Sequence, residues 1–232
     1  RKYLKIITEA QTGRLLLEGK KCVGGSYQRG GRDQEVRAAR EVVVSAGAVN
    51  SPHILQISGI GPAAHLQSIG VDVLHDAPGV GHNLSDHYVV RISHRIRDHI
   101  TINELARGPR LIGQFARWAT GRPNILAIVP SLIHIFAKSN ETLDLPDLQG
   151  VFAPASFKAG YVGVLDDYPG MTCGFWPHRP ERVGYIHAKS TNPDEYPEIQ
   201  ANYISAERDR HVLLAGMRLA RRLLRAAPLA QY

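Results

Sequence analysis

Four small residues, Ser45, Ala46, Gly47 and Ala48, lie between a run of three valines (Val42, Val43, Val44) and the pair Ser51-Pro52. Residues this small let a ligand or a second backbone come close to the chain. The valines favour a buried strand. Ser51-Pro52 reads as a helix start, with Ser51 at the N-cap and Pro52 at the first helical position. Ile54, Leu55 and Ile57 give that helix an apolar side, and Ser58-Gly59 stops it. Strand, tight turn and short helix would aim backbone N–H groups and a positive helix end at whatever sits above the strand. That is the chemistry of holding a ligand; close strand–helix packing would use the same residue types.

Other residue types offer less. Ser85-Asp86-His87 brings together the three members of a hydrolase triad, but neighbouring side chains in an extended chain diverge. Asp86 and His87 are instead expected to tie down the turn-rich loop that precedes them, Pro78-Gly79-Val80-Gly81-His82-Asn83-Leu84, through hydrogen bonds. His53, His65, His134, His178, His187 and His211 are dispersed. No pair has the i, i+4 spacing with a carboxylate that marks a metal site, so none is assigned a metal role. Gly59-Ile60-Gly61-Pro62-Ala63-Ala64 imitates a dinucleotide fingerprint. It follows a helix rather than a strand, and Pro62 removes a donor, so it is not read as a phosphate cradle.

The elements that must position these residues fall into two blocks. Residues 4–7 and 14–18 read as strands, and residues 22–28 and 35–38 as a hairpin around Gly30-Gly31. Short helices follow over about 53–58 and 63–69. From about Val89 the pattern changes. Residues 89–96 alternate like a half-buried strand, 111–120 read as a helix, and 125–137, 148–152 and 184–188 as strands. Residues 158–172 read as a loop. Ser205 is expected to cap a long helix over about 206–226, with Val212, Leu213, Gly216, Met217, Ala220, Leu223 and Leu224 on one stripe.

Composition narrows the class. The 232 residues are 44% hydrophobic, which fits a globular protein, and no apolar run approaches the roughly 20 residues of a membrane helix. The two cysteines, Cys22 and Cys173, lie far apart without metal-ligand spacing, which suggests a reducing, cytoplasmic location. Arg1 is not an initiator methionine, and the chain reads as a piece of something longer. The net charge of +7 is scattered except for Arg218, Arg221, Arg222 and Arg225 on the last helix. A solvated helix face explains these better than a nucleic-acid site, and no nucleic acid is expected as partner.

The stretch from Gly47 to Gly61 resembles the second sequence signature of the glucose–methanol–choline (GMC) oxidoreductases. Gly47-Ala48, Ser51-Pro52, Ile54-Leu55 and Ser58-Gly59-Ile60-Gly61 meet every constrained position. The Pro78 to His87 loop, Pro146-Asp147-Leu148-Gln149 and the segment 169–226 are also similar to family elements. Glu181-Arg182-Val183-Gly184 departs from the family's Ser-Arg-Gly. Within the family the resemblance is to the choline-dehydrogenase-like branch.

The resemblance implies an α+β, α/β chain. Residues 1–88 would be part of an FAD-binding two-layer domain, a β-meander plus a parallel strand. Residues 89–204 would be a substrate domain of antiparallel sheet backed by helices, and 205–232 a long helix leading back. It implies FAD as cofactor, oxidation of CH–OH groups by hydride transfer to flavin, and an electron acceptor left open. Thr12 matches the position whose backbone meets the FAD adenine, though a plain strand residue fits it as well. Ser45, Ala46, Gly47 and Ala48 would lie along the cofactor. The family's dinucleotide fingerprint and catalytic histidine fall outside this chain, so no catalytic residue is assigned. Leu132 aligns with the carboxylate of choline-oxidising members, in the segment ending at Phe136, which implies a small neutral alcohol as substrate. The rival reading is a non-catalytic GMC-derived binding module whose basic helix contacts a partner.

Overall fold

The structure is a computed structural model that describes residues 3–128, 133–161 and 163–232. The chain forms two compact units: Arg1–Ser85 with Val183–Asn202, and Asp86–Arg182 with Tyr203–Tyr232.

The first unit opens with an antiparallel meander of β1 (Gln11–Glu18), β2 (Lys21–Arg29) and β3 (Arg32–Arg37). Gly30 and Gly31 join β2 to β3 with φ of 56° and 72°, the left-handed pair that a two-residue hairpin requires. Helix α1 (Gly47–Ile57) follows. Then β4 (Ile60–Gly61), α2 (Ala63–Ser68) and β5 (His75–Asp76) form a minimal unit in which the two strands pair in parallel. β6 (His82–Leu84) ends this first pass.

The second unit is built on a four-stranded antiparallel sheet ordered β7-β10-β9-β8. β7 (Val90–Arg95) alternates half-buried and exposed residues, as its sequence pattern predicts. Two helices, α3 (Ile102–Leu105) and α4 (Gly108–Ala119), precede β8 (Ile133–Ala137), β9 (Leu148–Ala153) and the central strand β10 (Gly170–Pro177). The chain then returns to the first unit with β11 (Gly184–His187) and β12 (Glu198–Gln200), forming a sheet ordered β12-β11-β6. It ends in the second unit with α5 (Glu207–Leu224) and α6 (Ala227–Ala230).

The core of the second unit lies between the sheet and α5. Leu148, Met171, Cys173 and Phe175 from the strands meet Val212, Ala220 and Leu224 from the helix. Gly216 sets their approach, since a Cβ there would stand 2.7 Å from Phe175 Cβ.

Several elements differ from the sequence reading. Residues 42–45 pair with no strand, Ala46 bends the chain into the helix that follows (φ −84°, ψ 10°), and Val43 is 76% exposed. β-Branching favours the extended backbone, but a buried strand also needs a neighbour to pair with, and the described residues supply none. Residues 4–7 are unpaired for the same reason. Helix α1 starts at Gly47, with Ala46 as its N-cap, and contains Pro52. Ser51 is not the cap; its Oγ accepts the Ala46 N–H at 3.0 Å. Ser205 does not cap α5 either. Ala206 holds that position, and Glu207 and Asp209 bring negative charge to the first turn. Residues 125–127 form a 3-10 turn rather than a strand, with Asn124 Oδ1 accepting the N–H groups of Leu126 and Ala127. β10 begins inside the segment read as loop. It is buried on both faces and carries no alternation to mark it.

Candidate functional site

A cavity of about 540 Å³ in the first unit is lined by several of the predicted residues. Its floor is the meander, with Thr12, Leu15, Gly24 and Gly25; its other wall is the unpaired run from Glu41 to Ala46. Thr12 pairs with Tyr27, and the register then slips before Leu15. Ser26 holds this bulge, its Oγ accepting the Arg14 N–H at 2.9 Å and donating to the Arg14 carbonyl at 3.3 Å. A bulge re-aims the residues beside it. Thr12 is exposed at the cavity wall.

Of the five residues predicted to lie along a cofactor, the structure brings Thr12, Ser45 and Ala46 together on this cavity. Gly47 and Ala48 are exposed in the first turn of α1 and are not part of the lining. Gly47 has φ of 87° and open space where a Cβ would stand, so the chain enters the helix through a conformation that other residues adopt at a cost. Among the described residues the backbone of 42–45 has no hydrogen-bond partner, which leaves its donors and acceptors at the cavity edge for something else.

Within the Gly47 to Gly61 stretch Ile54 also lines the cavity, while Ser58 and Gly59 serve packing. Ser58 Oγ accepts the Leu15 N–H at 2.9 Å and donates to the Ile54 carbonyl at 2.5 Å, joining β1 to the end of α1. A Cβ at Gly59 would stand 2.6 Å from the Asp72 carbonyl oxygen, so this glycine permits a close chain crossing.

Gln56, which the sequence reading passed over, proves central. It is fully buried (0% exposed). Its Nε2 donates to the carbonyls of Ile186 at 2.8 Å and Val80 at 3.3 Å, and its Oε1 accepts the Ala188 N–H at 2.7 Å. The Ile186 N–H donates to the Gly81 carbonyl at 2.6 Å. These bonds hold the glycine-rich loop. The expected anchors do not: Asp86 and His87 belong to the second unit. There the Asp86 carboxylate accepts the Tyr203 hydroxyl, and its carbonyl accepts the Arg182 guanidinium, which lies over the Tyr203 ring at 4.2 Å. The hydrogen bond to Asp86 pushes the Tyr203 phenol above its ordinary value. His87 turns away, with Nε2 3.1 Å from the His178 carbonyl. A polar residue in the middle of an otherwise apolar helix face was the available signal for Gln56.

His53 is also buried (5% exposed), with Nε2 unpartnered among the described residues, and burial lowers its pKa so that the neutral ring is favoured. A second cavity, about 380 Å³, lies in the second unit beside Phe136, His178, Arg179 and Val212. Leu132 lies outside the described residues. Arg218, Arg221, Arg222 and Arg225 are all exposed. No helix among the described residues is long and apolar enough to cross a membrane.

Comparison with known proteins bears on what this arrangement serves. Two models described as GMC oxidoreductase match the chain, one over residues 1–89 and one over residues 180–231. The chain is 35% identical over 225 residues to an oxygen-dependent choline dehydrogenase of Photobacterium profundum, covering 95% of this chain and 39% of that protein. It is 36% identical over 234 residues to an uncharacterized GMC-type oxidoreductase of Mycobacterium bovis, covering 99% and 43%. The chain therefore spans about two fifths of the length of these curated relatives. Among solved structures, formate oxidase of Aspergillus oryzae superposes with a TM-score of 0.84 at 22% identity, over 94% of this chain and 43% of that one. Pyridoxine 4-oxidase of Mesorbium loti superposes with a TM-score of 0.76 at 21% identity, over 95% and 39%. These two likenesses bear on the fold.

Proposed function

The chain belongs to the glucose–methanol–choline (GMC) oxidoreductase family, whose cofactor is FAD, and from that premise we propose that it forms part of an FAD-dependent enzyme that oxidises the CH–OH group of a small neutral alcohol. The observation that carries this reading is the convergence of Thr12, Ser45 and Ala46 on one cavity of about 540 Å³. The cavity suits the adenine end of FAD. Leu15, Val42, Val44 and Ile54 offer apolar walls to a flat ring, and the unpartnered backbone of 42–45 offers hydrogen bonds to its edge. Thr12 contributes through its backbone, so Thr in place of an aliphatic residue is tolerated. The pyrophosphate is a different matter, since the sequence contains no Gly-x-Gly-x-x-Gly between a strand and a helix. This chain alone is therefore expected to hold FAD weakly.

When bound, the flavin supplies the hydride acceptor. The part of this chain in that chemistry is to bind and orient. The first unit holds the adenine end, and the second contributes the substrate-facing sheet. A neutral alcohol is favoured over choline because the resemblance puts Leu132 in the place of the carboxylate of choline-oxidising members, and a quaternary ammonium would then lose its charge partner.

The test is the protein expressed from its whole reading frame. It should purify with FAD, and anaerobic addition of aliphatic or aromatic alcohols should bleach the flavin faster than choline does. A flavin-free preparation, or a clear preference for choline, would overturn the reading.

A further inference from the structure

Three histidines far apart in sequence, His65, His82 and His187, meet in the first unit. The register of the β12-β11-β6 sheet pairs Tyr185 with His82 on one side and His187 with Glu198 on the other. Tyr185 and His187 are two residues apart on β11, so they share a face. The His187 ring is stacked on His65 at a centroid distance of 4.2 Å and on Tyr185 at 4.3 Å. The Tyr185 hydroxyl donates to Glu198 Oε1 at 2.9 Å. His82 meets His187 edge to face, and their Nε2 atoms stand 3.2 Å apart. None of these residues lines the cavity assigned to the cofactor.

We propose that His82 Nε2 and His187 Nε2 form a two-nitrogen site for a divalent transition-metal ion of the zinc, nickel or copper class, completed by water. Imidazole nitrogen is the ligand these ions favour. Two nitrogens about 2.0–2.1 Å from one tetrahedral ion stand about 3.3 Å apart. The 3.2 Å separation found here is close to that spacing. Stacking on both faces fixes the plane of the His187 ring, so little side-chain freedom is lost on binding. Burial, and then the neighbouring rings of His65 and His82, lower the His187 pKa and favour its neutral ring, with Glu198 acting in the opposite sense. His65 stacks rather than ligates, because a ring nearly parallel to His187 cannot aim a lone pair at the same point. This agrees with the absence, among the described residues, of any group of three or more His, Cys, Asp or Glu placed to hold a metal. In the metal-free state the two nitrogens stand at hydrogen-bonding distance, and a bound ion would replace that contact with each ring keeping its N–H on Nδ1.

The experiment is calorimetric titration of the 232-residue chain with zinc or nickel chloride at neutral pH, with electron paramagnetic resonance of the copper(II) form. One ion should bind per chain, and the copper spectrum should show nitrogen coupling from two imidazoles. His82→Ala, at an exposed position, and His187→Gln should each weaken binding by more than about tenfold. His134→Ala, exposed on β8, should leave it unchanged. Should His187→Gln disturb the fold, His82→Ala carries the test alone. No saturable binding, or binding that His82→Ala leaves intact, would reduce the pair to a hydrogen bond and overturn the proposal.

Discussion

Replacing Gln56 by Met removes the side chain on which the first unit's loop and β11 depend, while keeping its length and apolar stem. Two of its hydrogen bonds are short, 2.8 Å to the Ile186 carbonyl and 2.7 Å from the Ala188 N–H; the third, to the Val80 carbonyl, is 3.3 Å. Each buried backbone group left unpaired costs about 1–3 kcal/mol. The two short bonds alone place the loss at about 2–6 kcal/mol, and the similar volume of Met keeps a cavity term out of it. A loss near 3 kcal/mol multiplies the open population on the order of 100-fold. That is a large share of the 5–15 kcal/mol, roughly, by which a domain is stable. Native-state hydrogen exchange reads the effect where it arises: the Ile186 and Ala188 amides should exchange on the order of 100-fold faster in Gln56→Met, and the urea midpoint should fall. A stability change below about 1 kcal/mol, with exchange at Ala188 unchanged, would refute the assignment of Gln56 as the loop's anchor.

Gly216→Ala should destabilise the second unit by about 1–3 kcal/mol, because the new methyl meets Phe175 Cβ at 2.7 Å; the opposing gain in helix propensity is only about 1 kcal/mol. Thermal denaturation should show a lower midpoint. Cys173 is buried and its thiol is pushed up to about 11, so iodoacetamide should label Cys22 in the native chain and Cys173 only on unfolding. His53 titrates below its ordinary 6.5 because of burial, so the unfolded chain binds the extra proton first. The stabilising contribution is present above that value and is lost as pH falls from it through the folded pKa. Urea midpoints should drop across that window, and His53→Leu should flatten the slope.

The meander and the long amphipathic helix were legible because local signals agree there. The Gly30-Gly31 turn and the Val212 to Leu224 stripe each specify one conformation. β10 was not legible: a strand buried on both faces has no period to read, and its flanking glycine and proline imitate a loop. Residues 42–44 show the converse: three valines suggest a buried strand, but no strand forms there, because pairing depends on a neighbour that no local pattern encodes. At the candidate site, the small-residue turn pointed to Ser45 and Ala46. The division of labour within the same stretch was hidden, because Ser51 and Ser58 act on Ala46 and Leu15 through contacts set by the fold. The histidine pair was invisible for the same reason, as cross-strand register brings His82 to His187.

The central claim is that Thr12, Ser45 and Ala46 line the seat of the adenine end of FAD. The measurement that tests it most directly is a titration of the ¹⁵N-labelled chain with adenosine, following each backbone amide. The account predicts shifts that saturate at Thr12 and at residues 42–46, and that vanish when Ala46→Trp fills the cavity. Shifts confined to other residues, or a titration unaffected by Ala46→Trp, would contradict it.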